Sequence, residues 1–222
     1  MVMKHLEGEF RKGGEQGYAG IVAGVLKARG KDIALPKEVT SIEVTRFSQE
    51  ARTALEKDGY KIHTLTGQSI ASLREAGRDF WTTWHKDNLQ FEVLVSMQSE
   101  VAVNPDQLFL PKSNDKTLPQ QEKMIKAFSQ KLGKKIPGVE AIMGEAPDYV
   151  DLTFTHLDAT GDRLFGENHN YNYARTNTPT AVGQVAYVGS FFRSVGGLSV
   201  RDWPGAYGRA RVFAAPLVVP KA

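Results

Sequence analysis

Five histidines, His5, His63, His85, His156 and His169, are the residues best suited to acid–base or metal chemistry. None falls at the spacing that brings imidazoles onto one metal ion. On a helix, His156 follows Asp151 by five residues and precedes Asp158 by two. Neither separation puts a carboxylate on its face, so His156 reads as a partly buried structural histidine. Asp158, Asp162 and Glu167 offer oxygen ligands to a cation but lack the spacing of a calcium loop. Glu167-Asn168-His169-Asn170 reads as a solvated turn. Thr66-Gly67-Gln68-Ser69 lies between a strand and a helix start, where backbone N–H groups can meet an anion, but one glycine does not make a phosphate loop. The chain has no GxSxG, HExxH or GxGxxG motif and no cysteine. Disulfides, thiol catalysis and cysteine-based zinc sites are thereby excluded. The expectation is a protein that is not an enzyme and takes no cofactor or metal.

Bulk properties narrow the class further. At 222 residues, 41% hydrophobic and 24% charged, the chain is long enough and apolar enough to bury a core. The formal net charge is +3, and the densest basic cluster is Lys131, Lys134 and Lys135, which reads as a solvated helix end. The first residues have no apolar signal core, and no stretch approaches the roughly 20 apolar residues of a membrane helix. The default expectation is a cytoplasmic protein without membrane insertion; export without such a signal stays open.

The tail stands apart in composition. Between Ala181 and Phe213 there is no Lys, Glu, Met, Ile, Thr or Asn. What remains is mostly Gly, Val, Arg, Ala, Ser, Phe and Tyr. Outward positions must then be filled by Tyr, Phe, Arg, Ser and Gly. Tyr and Arg give contact area at modest entropy cost, and Ser and Gly give adaptable fit, as on a binding surface.

The preceding chain supplies elements to hold such a surface. Tyr18–Arg29 has one apolar helical stripe, and residues 41–46 alternate as a strand. Ser48 caps a predicted helix over 49–58 that stops at Gly59. A strand over 60–65 and a short helix over 68–76 follow. Trp81 and Trp84, three apart, share a face if 78–91 is helical, which offers a core stripe or a subunit contact. Residues 91–95 and 100–103 read as strands. Thr117 and Gln120 form a capping box before Met124, Phe128 and Leu132, with Gly133 as the stop. Pro147 opens another helix, with Val150, Phe154 and Leu157 on one face and Gly161 at its end. Residues 171–175 and 184–192 read as strands. Leu198 and Val200 face inward, with Ser199 and Arg201 shown. Trp203 reads as the tail's anchor, 204–210 as a loop and 212–219 as a central closing strand.

The tail resembles the variable proteins of diversity-generating retroelements. In that family a C-terminal segment within a C-type-lectin-like fold is rewritten by adenine-directed substitution. Substitution at AAY codons reaches Tyr, Ser, Arg, Asp, Gly, Ala, Phe, Val and Leu but never Lys, Glu or Met, close to the set found between Ala181 and Phe213. The resemblance implies a lectin-like domain over 99–222, with the helices at 117–132 and 147–161 preceding its sheet; with the N-terminal α/β region over 1–98, of unassigned role, the chain is expected to be α+β. It implies a fixed frame of Val185, Val188, Gly197, Leu198, Val200, Trp203, Ala215, Leu217 and Val218. The displayed, ligand-binding set is then Tyr187, Ser190, Phe192, Arg193, Ser194, Ser199, Arg201, Asp202, Ala206, Tyr207, Arg209 and Arg211. The implied partner is a protein or other macromolecule. The calcium-lectin signatures Glu-Pro-Asn, Gln-Pro-Asp and Trp-Asn-Asp are missing, so sugar binding through calcium is not implied. A rival expectation is a nucleic-acid-associated protein or enzyme that stacks bases on Tyr187 or Phe192 beside the tail arginines.

Overall fold

Capping chemistry sets most helix boundaries. The computed structural model describes residues 44–83, 89–193 and 196–221. The expected helix at 18–29 and most of the expected strand at 41–46 lie outside these; Thr45 makes an isolated bridge to Ser99. Helix α1 (Gln49–Lys57) begins where the Ser48 side chain accepts from the Ala51 N–H. Strand β1 (Lys61–Thr66) leads to α2 (Ile70–Glu75), closed at its start by reciprocal bonds between Ser69 and Ser72.

The next stretch departs from the sequence reading. Phe80–Thr83 is strand β2, so Trp81 sits in a strand, and Trp84 lies outside the described residues. Aromatic and β-branched residues favour the extended chain here over the three-residue spacing of the tryptophans. Leu89–Glu92 is a single helical turn, α3, where a strand was expected. Strand β3 (Gln98–Val103) then runs into a 3-10 turn at Pro105–Gln107.

Helix α4 (Leu118–Lys135) has the expected Thr117–Gln120 capping box. It continues through Gly133, and its buried side chains are Gln121, Ile125 and Leu132. After β4 (Val139–Ile142), α5 (Ala146–Thr160) ends at Gly161, which takes the left-handed conformation at φ 77°. Strands β5 (Tyr173–Ala181), β6 (Gln184–Gly189) and β7 (Leu198–Pro204) follow. The apolar run at 212–219 is two strands, β8 (Val212–Phe213) and β9 (Leu217–Pro220), in different sheets. Pro216 between them has no N–H to offer a ladder.

The sheets are ordered β1-β3-β9-β4 and β2-β7-β6-β5-β8, so the class is α+β and β9 is internal as expected. One core cluster joins Val101 and Val103 of β3, Tyr149, Leu152 and Phe154 of α5, Val188 of β6, Val200 of β7 and Leu217 of β9. Strand β1 pairs with β3 from Lys61↔Val103 to Thr66↔Gln98, and the described residues fall in one compact unit. That antiparallel pairing crosses the expected boundary and leaves no local mark in the sequence.

Candidate ligand-binding face

Strands β5, β6 and β7 make two antiparallel pairs whose register sorts the tail residues by face. Ala174, Val188 and Val200 are in register and face the core, with Ala186 and Leu198 beside them. The opposite face carries three rows: Tyr173–Gly189–Ser199, Arg175–Tyr187–Arg201, and Val185–Trp203.

The segment between β7 and β8 folds over this second face. The Arg209 guanidinium lies 4.3 Å above the Trp203 ring and 5.5 Å from that of Tyr187. Its Nη1 donates to the Tyr187 hydroxyl at 3.0 Å, and Tyr173 meets Tyr187 edge-on at 4.9 Å. Burial pushes the Tyr187 hydroxyl above its ordinary pKa, while Arg209 and Arg201 pull the other way.

Main-chain bonds fix the covering segment. Leu118 N–H donates to Gly205 O at 2.8 Å, Gly205 N–H to Gly183 O at 2.9 Å, and Asp115 N–H to Arg209 O at 3.1 Å. Tyr173 N–H donates to Arg211 O at 2.9 Å. From beneath, the fully buried Arg175 donates through Nη2 to Tyr207 O at 3.1 Å and through Nε to Gln121 Oε1 at 2.7 Å. Gln121 Nε2 donates to Ser113 O at 2.7 Å and Val212 O at 3.0 Å. Gly208 permits the close approach: a Cβ there would meet the Asp115 carbonyl carbon at 2.4 Å. Gly197 is tighter still, with Asp79 O only 1.5 Å from the place of a Cβ.

The expected set is therefore mixed in exposure. Arg193, Ala206, Tyr207 and Arg211 are exposed, and Phe192, Arg201, Asp202 and Arg209 are half-buried. Tyr187, Ser190 and Ser199 are covered, and Ser194 lies outside the described residues. Alternation predicts which face Tyr187 and Ser199 take, and it cannot see a later segment folding back over them. Phe192 belongs to a different aromatic group, stacked on Tyr171 at 4.3 Å and 6.2 Å from Trp81. A base-stacking platform on Tyr187 finds its ring already occupied. The frame residues Val185, Val188, Leu198, Val200, Ala215, Leu217 and Val218 are all buried.

Sequence reasoning missed Tyr173, Arg175, Gln121 and the 113–118 segment. Gln121 had a signal: it lies one helical turn before Ile125 on the buried stripe. Arg175 had none, since a strand arginine usually faces water.

The other candidate chemistry resolves into structure. Asp158 is paired with Arg78 through both carboxylate oxygens. His156 Nδ1 lies 3.1 Å from His63 Nε2 in a buried pair between α5 and β1. Burial and the neighbouring imidazole and Lys61 lower His63 to about 4, and burial also lowers His156. Asp148 accepts from Met97 N–H at 2.8 Å and Asp151 from the Ser96 hydroxyl at 2.6 Å, anchoring α5 rather than forming an acid–base couple. Among the described residues there is no group of three or more His, Asp or Glu able to hold a metal ion, and no helix long and apolar enough to cross a membrane. Compared with protein-family models, curated proteins and solved structures, the chain matches none.

Proposed function

We propose that this is a recognition protein of the variable type made by diversity-generating retroelements. Its tail, residues 181–213, would be the diversified segment in a C-type-lectin-like frame, and its ligand a protein. The observation that carries the reading is how the 204–211 segment is held. Backbone carbonyls of Gly205, Tyr207 and Arg209 are gripped by Leu118, Arg175 and Asp115, all outside the tail. Side chains such as Tyr207 and Arg211 project from a backbone whose path does not depend on them. Exposed replacements then change stability by only about 0.5 kcal/mol or less. The lectin-like frame is supported by β3 pairing with the late strand β9 and by α4 and α5 preceding the β5–β6–β7 sheet.

Sequencing the coding DNA across a population of the source organism tests the reading. Differences should concentrate in codons 181–213, at adenines of a nearby near-copy. They should spare Gly197, Gly208 and the buried frame. A tail as invariant as α4 and α5 sinks the proposal.

A further inference from the structure

The second face of β5–β6–β7 buries one arginine, Arg175, with no carboxylate among its hydrogen-bond partners. Arg175 is fully buried, and its partners are all neutral: Gln121 Oε1 and the carbonyls of Lys116 and Tyr207. Its remaining Nη1 is buried without a hydrogen-bond partner. Two further polar atoms on the same face, Trp203 Nε1 and Ser199 Oγ, are in the same condition. Buried donors are almost always satisfied, so these orphans ask for an acceptor. A guanidinium buried among neutral partners favours an anion beside its unused N–H groups.

The groups converge. Arg175 is opposite Tyr187 across β5–β6, and Arg201 is opposite Tyr187 across β6–β7. Arg209 reaches the Tyr187 hydroxyl from above and covers Trp203. Asp202, the tail's one acid, falls on the other strand parity and accepts from Thr180 Oγ1 at 3.1 Å. Arg209 is half-buried on a covering segment, so its side chain is the member that would have to move off Tyr187 and Trp203 to admit a guest.

We propose that the space between Arg175, Tyr187, Trp203 and Arg209 is a receptor for one carboxylate, supplied by an Asp or Glu side chain of the protein ligand. This rests on the tail being a binding face. Guanidinium groups grip a carboxylate through parallel, charge-assisted bonds, and the Trp203 indole N–H adds a neutral donor. The carboxylate neutralises the buried Arg175 and satisfies the orphaned donors.

The test titrates the whole chain with acetate, against chloride at equal ionic strength, while the Trp203 indole and arginine Nε–H resonances are followed by NMR. Acetate should shift them saturably, and Arg209→Ala should weaken binding by at least about tenfold. Trp203→Phe, which keeps a ring but loses the N–H, should weaken it less. Shifts equal to those of chloride, or acetate binding unchanged in Arg209→Ala, overturn the proposal. So does tighter binding of inorganic phosphate than of acetate. The two readings fail separately. Saturable acetate binding with invariant tail codons keeps the carboxylate receptor and removes the diversified binder. Variable codons without acetate binding do the reverse.

Discussion

The two sheets are built on different principles. In β1-β3-β9-β4, both faces carry apolar clusters: Leu55, Ala102, Ile136, Ala141 and Val218 form one, and Val101, Val103, Leu217 and Val219 join the main core, with Glu100 of β3 a buried polar exception that pairs with Arg52 and accepts from Phe47 N–H. In β2-β7-β6-β5-β8, only one face does this. The other face is held by a buried arginine, a buried glutamine and main-chain bonds to a covering segment. Apolar packing ties stability to the identity of each side chain. Backbone bonding does not, so the path of the covering segment is not tied to an exposed side chain such as Tyr207.

The contrast is broken most strongly from its apolar side. Phe165→Ala, at a fully buried ring, should cost about 3–5 kcal/mol in denaturant unfolding. Arg175→Met tests whether the polar side has an equivalent keystone. It leaves Gln121 Oε1 and Tyr207 O without Arg175, and a loss of roughly 2–3 kcal/mol is expected. A loss below about 0.5 kcal/mol would show that the covering segment is held without it.

The His63–His156 pair sharpens the comparison by pH, because it joins β1 to α5. His63 is depressed from 6.5 to about 4, so the unfolded chain binds its proton first on acidification. Its contribution is fully present above pH 6.5 and is lost as the pH falls towards about 4. The loss is roughly 3 kcal/mol at full effect. Asp148 and Asp151 are raised by burial, so they act oppositely: folding favours their protonated forms, and their penalty grows as pH rises through their folded values. His63→Phe should flatten the pH dependence of the melting temperature between 6.5 and 4.

The smallest effect is the most telling for the displayed side. Tyr207 is 65% exposed, and Tyr207→Ala with Arg211→Ala should move stability by no more than about 0.5 kcal/mol. The same pair should abolish ligand capture. A large drop in melting temperature would mean these side chains hold the segment after all.

Much of the scaffold was legible in the sequence, because caps and stops are local. Ser48, Thr117 and Gly161 mark helix ends as the structure has them. The tail strands were legible as alternation, and so was the burial of Val185, Val188, Leu198 and Val200. Long-range events were not. Nothing near Tyr187 announces that Arg209, 22 residues on, will cover it. Nothing near Lys61 announces β3, and nothing near Val212 announces that Pro216 will send one apolar run into two sheets. The tryptophans misled because a three-residue interval fits a helix face while the intervening residues favour a strand.

Strand β9 lies downstream of the tail and between β3 and β4. A chain whose reading frame is lost or stopped anywhere in 181–213 therefore never makes the strand that joins those two neighbours. Their facing edges stay unpaired, and the core loses Leu217, Val218 and Val219. Frameshift and nonsense changes in the tail should therefore leave misfolded chains open to proteolysis, whereas a substitution at exposed Tyr207 leaves β9 in place. The position of one late strand makes folding depend on the segment before it being read through in frame.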